Sequence, residues 1–194
     1  MILASDDFNR ADSATLGANW TALAGTAGIV SNQCDSKTFD GSGRCVQFYS
    51  AITWPDDHYS EVTLGSVAAS ASPGPMVRVA SGALTYYICF CNTVSDLNLA
   101  SVVAGAFTGI GTLPVFNVGD VVRLEAAGST LRVYQNSAVV LTVVDTSITS
   151  GSAGLNAGFT TVDQKVDNWS GGTVDPLGPA NIVSSAGRYI GWTL

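Results

Sequence analysis

The sequence predicts an all-β fold: an antiparallel β-sandwich of two sheets, followed by a short C-terminal tail. Three observations support this prediction. Charged residues make up 12% of the 194 residues and apolar residues 46%. The chain has only two Glu and two Lys, so it lacks the residues from which amphipathic surface helices are built. Apolar residues recur at every second position in many segments, and turns rich in Gly, Ser, Pro and Asn separate these alternating segments.

The alternating segments follow one another along most of the chain. In chain order they are RCVQFYS (44–50), HYSEVTL (58–64), MVRVA (76–80), TYYICFC (85–91), DVVRLEA (120–126), TLRVYQN (130–136) and AVVLTVV (138–144). The last two are joined by a hairpin turn in which Asn136 tolerates the left-handed conformation that such a turn requires. Roughly a dozen strands are expected over the first ~170 residues. That number is too large for a small closed barrel and favours two packed sheets.

The alternation also assigns side chains to the two faces of each strand. The residues expected to face the core are Val62, Val77, Val79, Ile88, Phe90, Val122 and Leu124. The same alternation places Glu61, Arg78, Tyr87 and Arg123 together on the opposite face.

The charge and the apolar runs limit the possible partners. The net charge is −7, and the eight basic residues leave no patch able to neutralise a run of phosphates, so we expect no binding to nucleic acid. The longest apolar runs, such as SAVVLTVVD, are too short to span a bilayer, so we expect no membrane insertion. The start MILASDDF lacks the basic and apolar regions of a secretory signal. We therefore expect a protein that is made in the cytoplasm without export.

The four cysteines leave three alternatives open. Cys34 and Cys45 flank a turn-rich connector and are able to meet across neighbouring strands, whereas Cys89 and Cys91 point to the same face of one strand. The alternatives are that the thiols are free and partly buried, that they form at least one disulfide, or that they hold a metal such as zinc, although the spacing matches no familiar zinc motif.

The last 22 residues differ in character from the rest. Pro176 and Pro179 disfavour continued strand pairing, so we interpret residues 173–194 as a tail outside the sandwich. The end of the tail carries large apolar side chains: Tyr189, Ile190, Trp192 and Leu194. Either they dock on their own domain, or they anchor the chain to a partner or to other copies of itself.

Six short segments occur in a characteristic order. They are DDFNRADSATLGANW (6–20), GPMVRV (74–79), TYYICF (85–90), GDVVRLEAAGSTLRVYQNSAVV (119–140), DTSITSGSAGLNAG (145–158) and VDNWSGG (166–172). With this order and spacing, residues 4–172 resemble the concanavalin A-like (laminin-G-like) jelly-roll domains of bacteria and bacteriophages. The resemblance implies a jelly-roll sandwich over residues 1–172. It implies no particular activity, because this fold hosts lectins, glucanases, lyases and structural modules.

The resemblance also implies a possible structural calcium site. In this fold the first and last strands lie side by side, which brings Asp6 and Asp7 near Asp167 and Asn168. Proteins of this fold often bind calcium near their edges, and carboxylate and amide oxygens are suitable ligands. The alternative is that these side chains hydrogen-bond the backbone of turns, as Asp and Asn commonly do. No other cofactor is expected.

The face that carries Glu61, Arg78, Tyr87 and Arg123 is the predicted carbohydrate-binding surface. The resemblance implies that this face is the concave surface on which relatives hold sugars. A guanidinium group grips hydroxyl or carboxylate oxygens, and an aromatic ring stacks on a sugar. Two further aromatic residues, Trp54 and Tyr59, are expected near its rim. The alternative is a cross-strand ion network that binds no ligand.

The sequence offers no catalytic constellation. The glucanases that share this fold carry paired Glu residues with an Asp between them, and no Glu-x-Asp-x-Glu motif occurs here. Glu61 and Glu125 each stand alone. The single histidine, His58, is interpreted as a surface residue at the start of a strand rather than as a base. We therefore expect a protein that is not an enzyme.

Three functions remain. The first is a non-catalytic virion structural or decoration protein of a bacteriophage, associated with the capsid or the tail. Its partners are other virion proteins or copies of itself, and its apolar tail serves as an assembly anchor. The second is a carbohydrate-binding module or adhesin that recognises a cell-surface glycan, alone or within a virion, or outside the cell. The third, disfavoured by the missing acid pair, is a polysaccharide lyase or hydrolase.

Overall fold

The computed structural model of the chain describes residues 1–69, 73–96, 98–159 and 164–174. It confirms the predicted fold class, because these residues form two antiparallel sheets packed as a sandwich, with no helix among them. The strands are β1 (Ile2–Asp6), β2 (Trp20–Ala24), β3 (Thr26–Val30), β4 (Gln33–Thr38), β5 (Arg44–Tyr49), β6 (His58–Leu64), β7 (Gly74–Val79), β8 (Tyr86–Cys89), β9 (Leu99–Val103), β10 (Ala106–Gly111), β11 (Val121–Ala127), β12 (Thr130–Gln135), β13 (Ala138–Val144), β14 (Ser152–Phe159) and β15 (Lys165–Thr173).

The two sheets have different strand orders. Sheet A has eight strands in the order β13-β12-β11-β6-β15-β4-β3, and β1 pairs with β15 beside β4. Sheet B has seven strands in the order β10-β9-β8-β7-β14-β5-β2. The first and last strands are neighbours, as the resemblance implied, with Asp6 opposite Trp169. The hairpin between β12 and β13 turns at Asn136 and Ser137, whose φ angles of 52° and 70° are those of a type I′ turn.

The main core fills the space between the sheets. Trp169 of β15 lies at its centre, with its ring centroid 4.7 Å from that of Trp20 and 5.1 Å from that of Tyr49. Phe8 and Phe116 are also fully buried in this core. Burying one side chain of this size contributes roughly 1.5–3 kcal/mol, so these aromatic residues account for a large part of the stability.

A second apolar layer covers the outer face of sheet B. Its buried members are Ala24, Val46, Phe48, Met76, Val79, Tyr86, Ile88, Ala100 and Val102. This layer reverses the predicted faces of β8, because Tyr87 and Cys89 pack in the main core whereas Ile88 lies in the outer layer. The prediction was wrong because both faces of β8 are apolar, and alternation alone does not then identify the inner one.

The predicted faces of β7 also need a correction. Val77 lies in the main core as predicted, but Val79 lies in the outer layer. Between them Arg78 has a φ of 54°, and the pairing of β14 with β7 shifts register nearby. Such an irregularity breaks the strict alternation of faces.

Of the alternatives for the cysteines, the structure contains four free, buried thiols. Cys34 lies on sheet A and Cys45 on sheet B, and burial raises the pKa of Cys45 to about 12. The Sγ atoms of Cys89 and Cys91 are 3.7 Å apart.

The sandwich continues slightly beyond the predicted boundary, because β15 ends at Thr173. The predicted anchor residues Tyr189, Ile190, Trp192 and Leu194 lie outside the described residues. Within the described part of the chain, no helix has the length and apolarity needed to cross a membrane.

Candidate functional site

Three of the six residues predicted to bind carbohydrate meet on the outer face of sheet A. Arg123 and Glu61 lie opposite each other on β11 and β6, and Arg123 Nε donates to Glu61 Oε2 at 2.9 Å. The Arg123 guanidinium carbon lies 4.1 Å from the centroid of the Tyr59 ring. These contacts match the alternative interpretation, a cross-strand ion network. The depression beside it measures only 120 Å³.

The other three residues lie elsewhere and are buried. Arg78 and Tyr87 belong to sheet B, so they do not share a face with Glu61 and Arg123. Trp54 packs against the core aromatic residues and donates from Nε1 to the Tyr49 carbonyl oxygen at 2.9 Å. The prediction of one shared face was wrong because alternation orders side chains within a strand but does not say which sheet the strand joins.

Arg78 closes one end of the sandwich. Its guanidinium donates to three backbone carbonyl oxygens: Asp56 at 3.1 Å, Ile148 at 2.8 Å and Gly128 at 2.7 Å. With only 2% of its surface exposed, the side chain ties three loops together and is not available to a ligand.

His58 is part of the same buried end, and the prediction of a surface histidine was wrong. The Arg78 backbone N–H donates to His58 Nε2 at 3.1 Å, while His58 Nδ1 lies 2.7 Å from the Pro55 carbonyl oxygen. These partners define a neutral ring with the proton on Nδ1. Burial lowers the pKa of His58 to about 4. The ring is therefore a structural element and is not exposed to a substrate.

Three of the four residues predicted to bind calcium accept hydrogen bonds within the protein. Both carboxylate oxygens of Asp6 accept hydrogen bonds from Arg10, at 2.6 and 3.0 Å, and one also accepts from Trp20 Nε1. Asp7 and Asp167 accept from nearby backbone N–H groups, as in ordinary turns. Asn168 follows with a φ of 48°. Among the described residues no group of three or more His, Cys, Asp or Glu side chains is arranged to hold a metal. The calcium site stays a prediction, and an ion bound there would replace Arg10 as the partner of Asp6.

The outer face of sheet B carries two adjoining depressions over its apolar layer. The first, called the aromatic pocket, has a volume of 460 Å³ and lies over β5, β8 and β9. The second, called the serine pocket, has a volume of 780 Å³ and lies over β2, the end of β5 and the start of β14, beside the loop between β7 and β8. Val46 of β5 faces the aromatic pocket, and Phe48, two positions further along, faces the serine pocket, so the two pockets are neighbours. Together they are called the outer groove. Both volumes lie in the range typical of ligand sites.

Phenylalanine rings form the walls of the aromatic pocket. The ring centroid of Phe90 lies 6.0 Å from that of Phe107 and 6.3 Å from that of Phe159. Phe107 is 55% exposed although it is a large apolar residue. An exposed ring at the mouth of a groove offers an apolar surface to a ligand.

The Tyr86 hydroxyl group adds a polar contact to the aromatic pocket. Tyr86 is 2% exposed, and no hydrogen bond joins its hydroxyl to any described residue. Burial raises its pKa to about 12, against the opposing influence of the nearby Arg44, so the hydroxyl remains a donor at neutral pH. The hydroxyl oxygen itself is not fully buried, so it is available to a molecule in the pocket.

Several other polar groups in the two pockets are already bonded to the protein. Arg44 donates from Nη2 to the Gly105 carbonyl oxygen at 2.9 Å, and the amide groups of Asn92 and Asn98 bond to each other at 3.2 and 3.3 Å. In the serine pocket, Thr21 and Ser50 share a hydrogen bond of 2.8 Å. Asp96 is the one carboxylate among the described residues that line the outer groove. The groove is therefore suited to binding rather than to acid–base chemistry, which in a glycosidase requires two carboxyl groups.

Sequence reasoning missed the outer groove. The alternation places Ile88 and Phe90 of this groove in the core, because they look like ordinary inward-facing positions. The available signal was the apolar character of both faces of TYYICFC and RCVQFYS, which indicates strands covered on both sides.

Comparisons with solved structures place the sandwich among known folds. The carbohydrate-binding module CBM66 from Bacillus subtilis matches with a TM-score of 0.60 and 18% identity, covering 79% of this chain and 94% of that one. A structure described with endo-acting O-glycanases of the human gut microbiota that initiate mucin breakdown matches with a TM-score of 0.59 and 12% identity, covering 90% and 100%. A glycosyl hydrolase family 16 protein from Mycobacterium smegmatis matches with a TM-score of 0.53 and 10% identity, covering 89% and 100%.

The chain has a concanavalin A-like jelly-roll fold. This confirms the resemblance found in the sequence. At these identities the likeness establishes the fold alone, and the fold is shared by carbohydrate-binding modules and glucanases. No family model matches the sequence, and no curated protein matches it either.

Proposed function

We propose that this protein is a non-catalytic carbohydrate-binding module that binds a glycan in the outer groove. The observation that carries the proposal is the aromatic pocket, whose walls are phenylalanine rings and whose lining includes Tyr86, a residue with a hydroxyl that has no hydrogen-bond partner among the described residues. Aromatic faces pack against the C–H faces of sugar rings, and a fixed hydroxyl donates to or accepts from a sugar hydroxyl. The match to a carbohydrate-binding module supports the same function.

The distribution of acidic residues supports a non-catalytic role. Glu61 and Glu125 lie on sheet A, on the other side of the main core from the outer groove. Glu61 is engaged by Arg123, and Glu125 accepts a hydrogen bond from the Tyr134 hydroxyl at 2.7 Å. Among the described residues that line the outer groove, no second carboxylate accompanies Asp96. Incubation with the glycans that bind, followed by an assay for new reducing ends or unsaturated products, tests this point; product formation would contradict it.

The binding proposal is tested on a glycan array, followed by calorimetric titration of the best ligand. We expect Phe107→Ala to weaken binding by about tenfold through loss of a stacking surface. We expect Tyr86→Phe to weaken it by about three- to tenfold through loss of one hydrogen bond. Tyr134→Phe is the matched control, because it removes a tyrosine hydroxyl from sheet A and is expected to leave the affinity unchanged.

Two outcomes would contradict the proposal. One is the absence of binding across a broad array by a folded protein. The other is a dimer, seen by sedimentation, that dissociates in Phe107→Lys while glycan binding is absent. That result would make the groove an interface between two copies of the chain.

The bacteriophage virion role remains a prediction from the sequence. The tail that motivates it lies outside the described residues, and the solved structures that match do not bear on it. The two roles are compatible, because a decoration protein is also able to recognise a glycan. Removing residues 175–194 and measuring the oligomeric state tests the anchor: loss of an oligomer supports it, and an unchanged monomer counts against it.

A further inference from the structure

The composition of the aromatic pocket, one half of the outer groove, predicts which sugars it binds. We propose that the aromatic pocket selects sugars that carry a methyl group, as acetamido sugars and 6-deoxy sugars do, over their fully hydroxylated counterparts. This inference rests on the proposed function of the groove and adds a chemical class of ligand to it.

The floor of the aromatic pocket is aliphatic. Val46, Ile88 and Val102 line it, and each is exposed by 2% or less. These side chains offer no hydrogen bond. A sugar hydroxyl pressed against them loses its water and gains no partner, which is unfavourable. A methyl group in the same position loses nothing and buries apolar surface.

The amide groups of Asn92 and Asn98 do not compensate for this floor. Asn92 and Asn98 bond to each other in both directions, and Asn98 also donates to the Val94 carbonyl oxygen at 3.0 Å. A ligand hydroxyl that used them would break an existing pair. The aliphatic floor therefore remains a surface for an apolar group.

The rest of the pocket accommodates the polar part of the same sugar. The Tyr86 hydroxyl is free to bond a ring hydroxyl or an acetamido carbonyl, and it lies close enough to Arg44 to be influenced by the charge of that residue. The rings of Phe90 and Phe107 flank the floor and extend the apolar surface around a methyl group. A ligand with one hydrogen-bonding edge and one methyl group fits this arrangement better than a ligand with hydroxyl groups on every side.

The inference is tested with matched sugars that differ in one group. Chitotetraose and cellotetraose have the same linkage, and only the former carries acetamido groups. The methyl glycosides of D-fucose and D-galactose form the second pair, which has the same ring configuration and carries a methyl or a hydroxymethyl group at C5. We expect calorimetric titration to show at least about tenfold tighter binding of the methyl-bearing member in one of the pairs, since a single apolar group in a fitted pocket is worth about that factor. The pair that shows the preference identifies the source of the methyl group.

A variant of the floor tests the mechanism of selection. Val102→Thr keeps the shape of the side chain and places a hydroxyl on the floor, so we expect it to reduce the preference several-fold. Val139→Thr, on the exposed edge strand β13, is the matched control and is expected to leave the preference unchanged. Saturation-transfer NMR on the unmodified protein provides a second measurement that does not depend on a variant folding. We expect the methyl protons of the ligand to receive the strongest transfer.

The outcomes separate this inference from the proposed function. If hydroxylated and methyl-bearing partners bind equally in both pairs, or if the hydroxylated partners bind better, the inference is wrong and the groove is still a glycan site. If transfer to the methyl protons is weaker than to the ring protons, the inference is also wrong. If no glycan binds at all, the proposed function fails and this inference fails with it.

Discussion

The outer faces of the two sheets differ in composition, although both belong to one sandwich. Sheet A presents an ion network in which Arg123 pairs with Glu61 and packs over Tyr59. Sheet B presents an apolar layer with a groove above it. A sheet whose outer face serves only solubility needs polar side chains there, as sheet A has. A sheet that is apolar on both faces needs other groups to shield its second face from water, and on sheet B the outer groove leaves part of that face open.

The largest expected difference between the faces is in stability. Ile88→Asn places an amide in the buried outer layer of sheet B. We expect it to lower the free energy of unfolding by about 3–4 kcal/mol, from the lost apolar burial and an unpaired polar group. Thr63→Asn introduces the same amide on the outer side of sheet A, where the residue is already polar. Its free energy of unfolding is expected to stay within about 0.5 kcal/mol of that of the unmodified protein. Urea titration followed by tryptophan fluorescence measures both, and equal effects would show that the two faces are alike.

At one end of the sandwich, the two sheets are joined by a hydrogen bond to a titratable side chain, His58. His58 of sheet A accepts a hydrogen bond from the backbone of Arg78 of sheet B, and burial lowers its pKa from 6.5 to about 4. Between these values the unfolded chain binds a proton that the folded chain excludes. The contribution of His58 to the free energy of unfolding is therefore fully present above pH 6.5. It falls by up to about 3 kcal/mol as the pH drops to 4.

The contribution of His58 is isolated by comparison with a variant, because carboxylates also titrate near pH 4. His58→Gln removes the only histidine of the chain. Urea titrations at a series of pH values should show that the unmodified protein loses more stability between pH 6.5 and 4 than the variant does. Parallel curves for the two proteins would mean that His58 is not buried in its neutral form.

The fold was predictable from the sequence, but the site was only partly so. Alternation and turn residues determine strands, and they correctly brought Glu61 and Arg123 together because both lie on neighbouring strands of one sheet. They placed Arg78 and Tyr87 on the same surface wrongly, because the assignment of a strand to a sheet depends on long-range pairing. The Tyr86 pocket was hidden for a related reason. Its aliphatic floor has the composition of a core, and only the three-dimensional arrangement shows that it lies outside the main one.

The smallest expected effect tests whether sheet A has any part in binding. Arg123→Met removes the ion pair with Glu61 and the contact with Tyr59 while keeping a long apolar side chain. Because the pair is partly exposed, we expect a loss of no more than about 1 kcal/mol in the free energy of unfolding, and less at high salt. We expect no change in glycan affinity, since the outer groove lies on the opposite side of the main core. Calorimetric titration of this variant beside Phe107→Ala checks the assignment directly. If Arg123→Met lost affinity and Phe107→Ala kept it, the carbohydrate surface would be the ion network on sheet A.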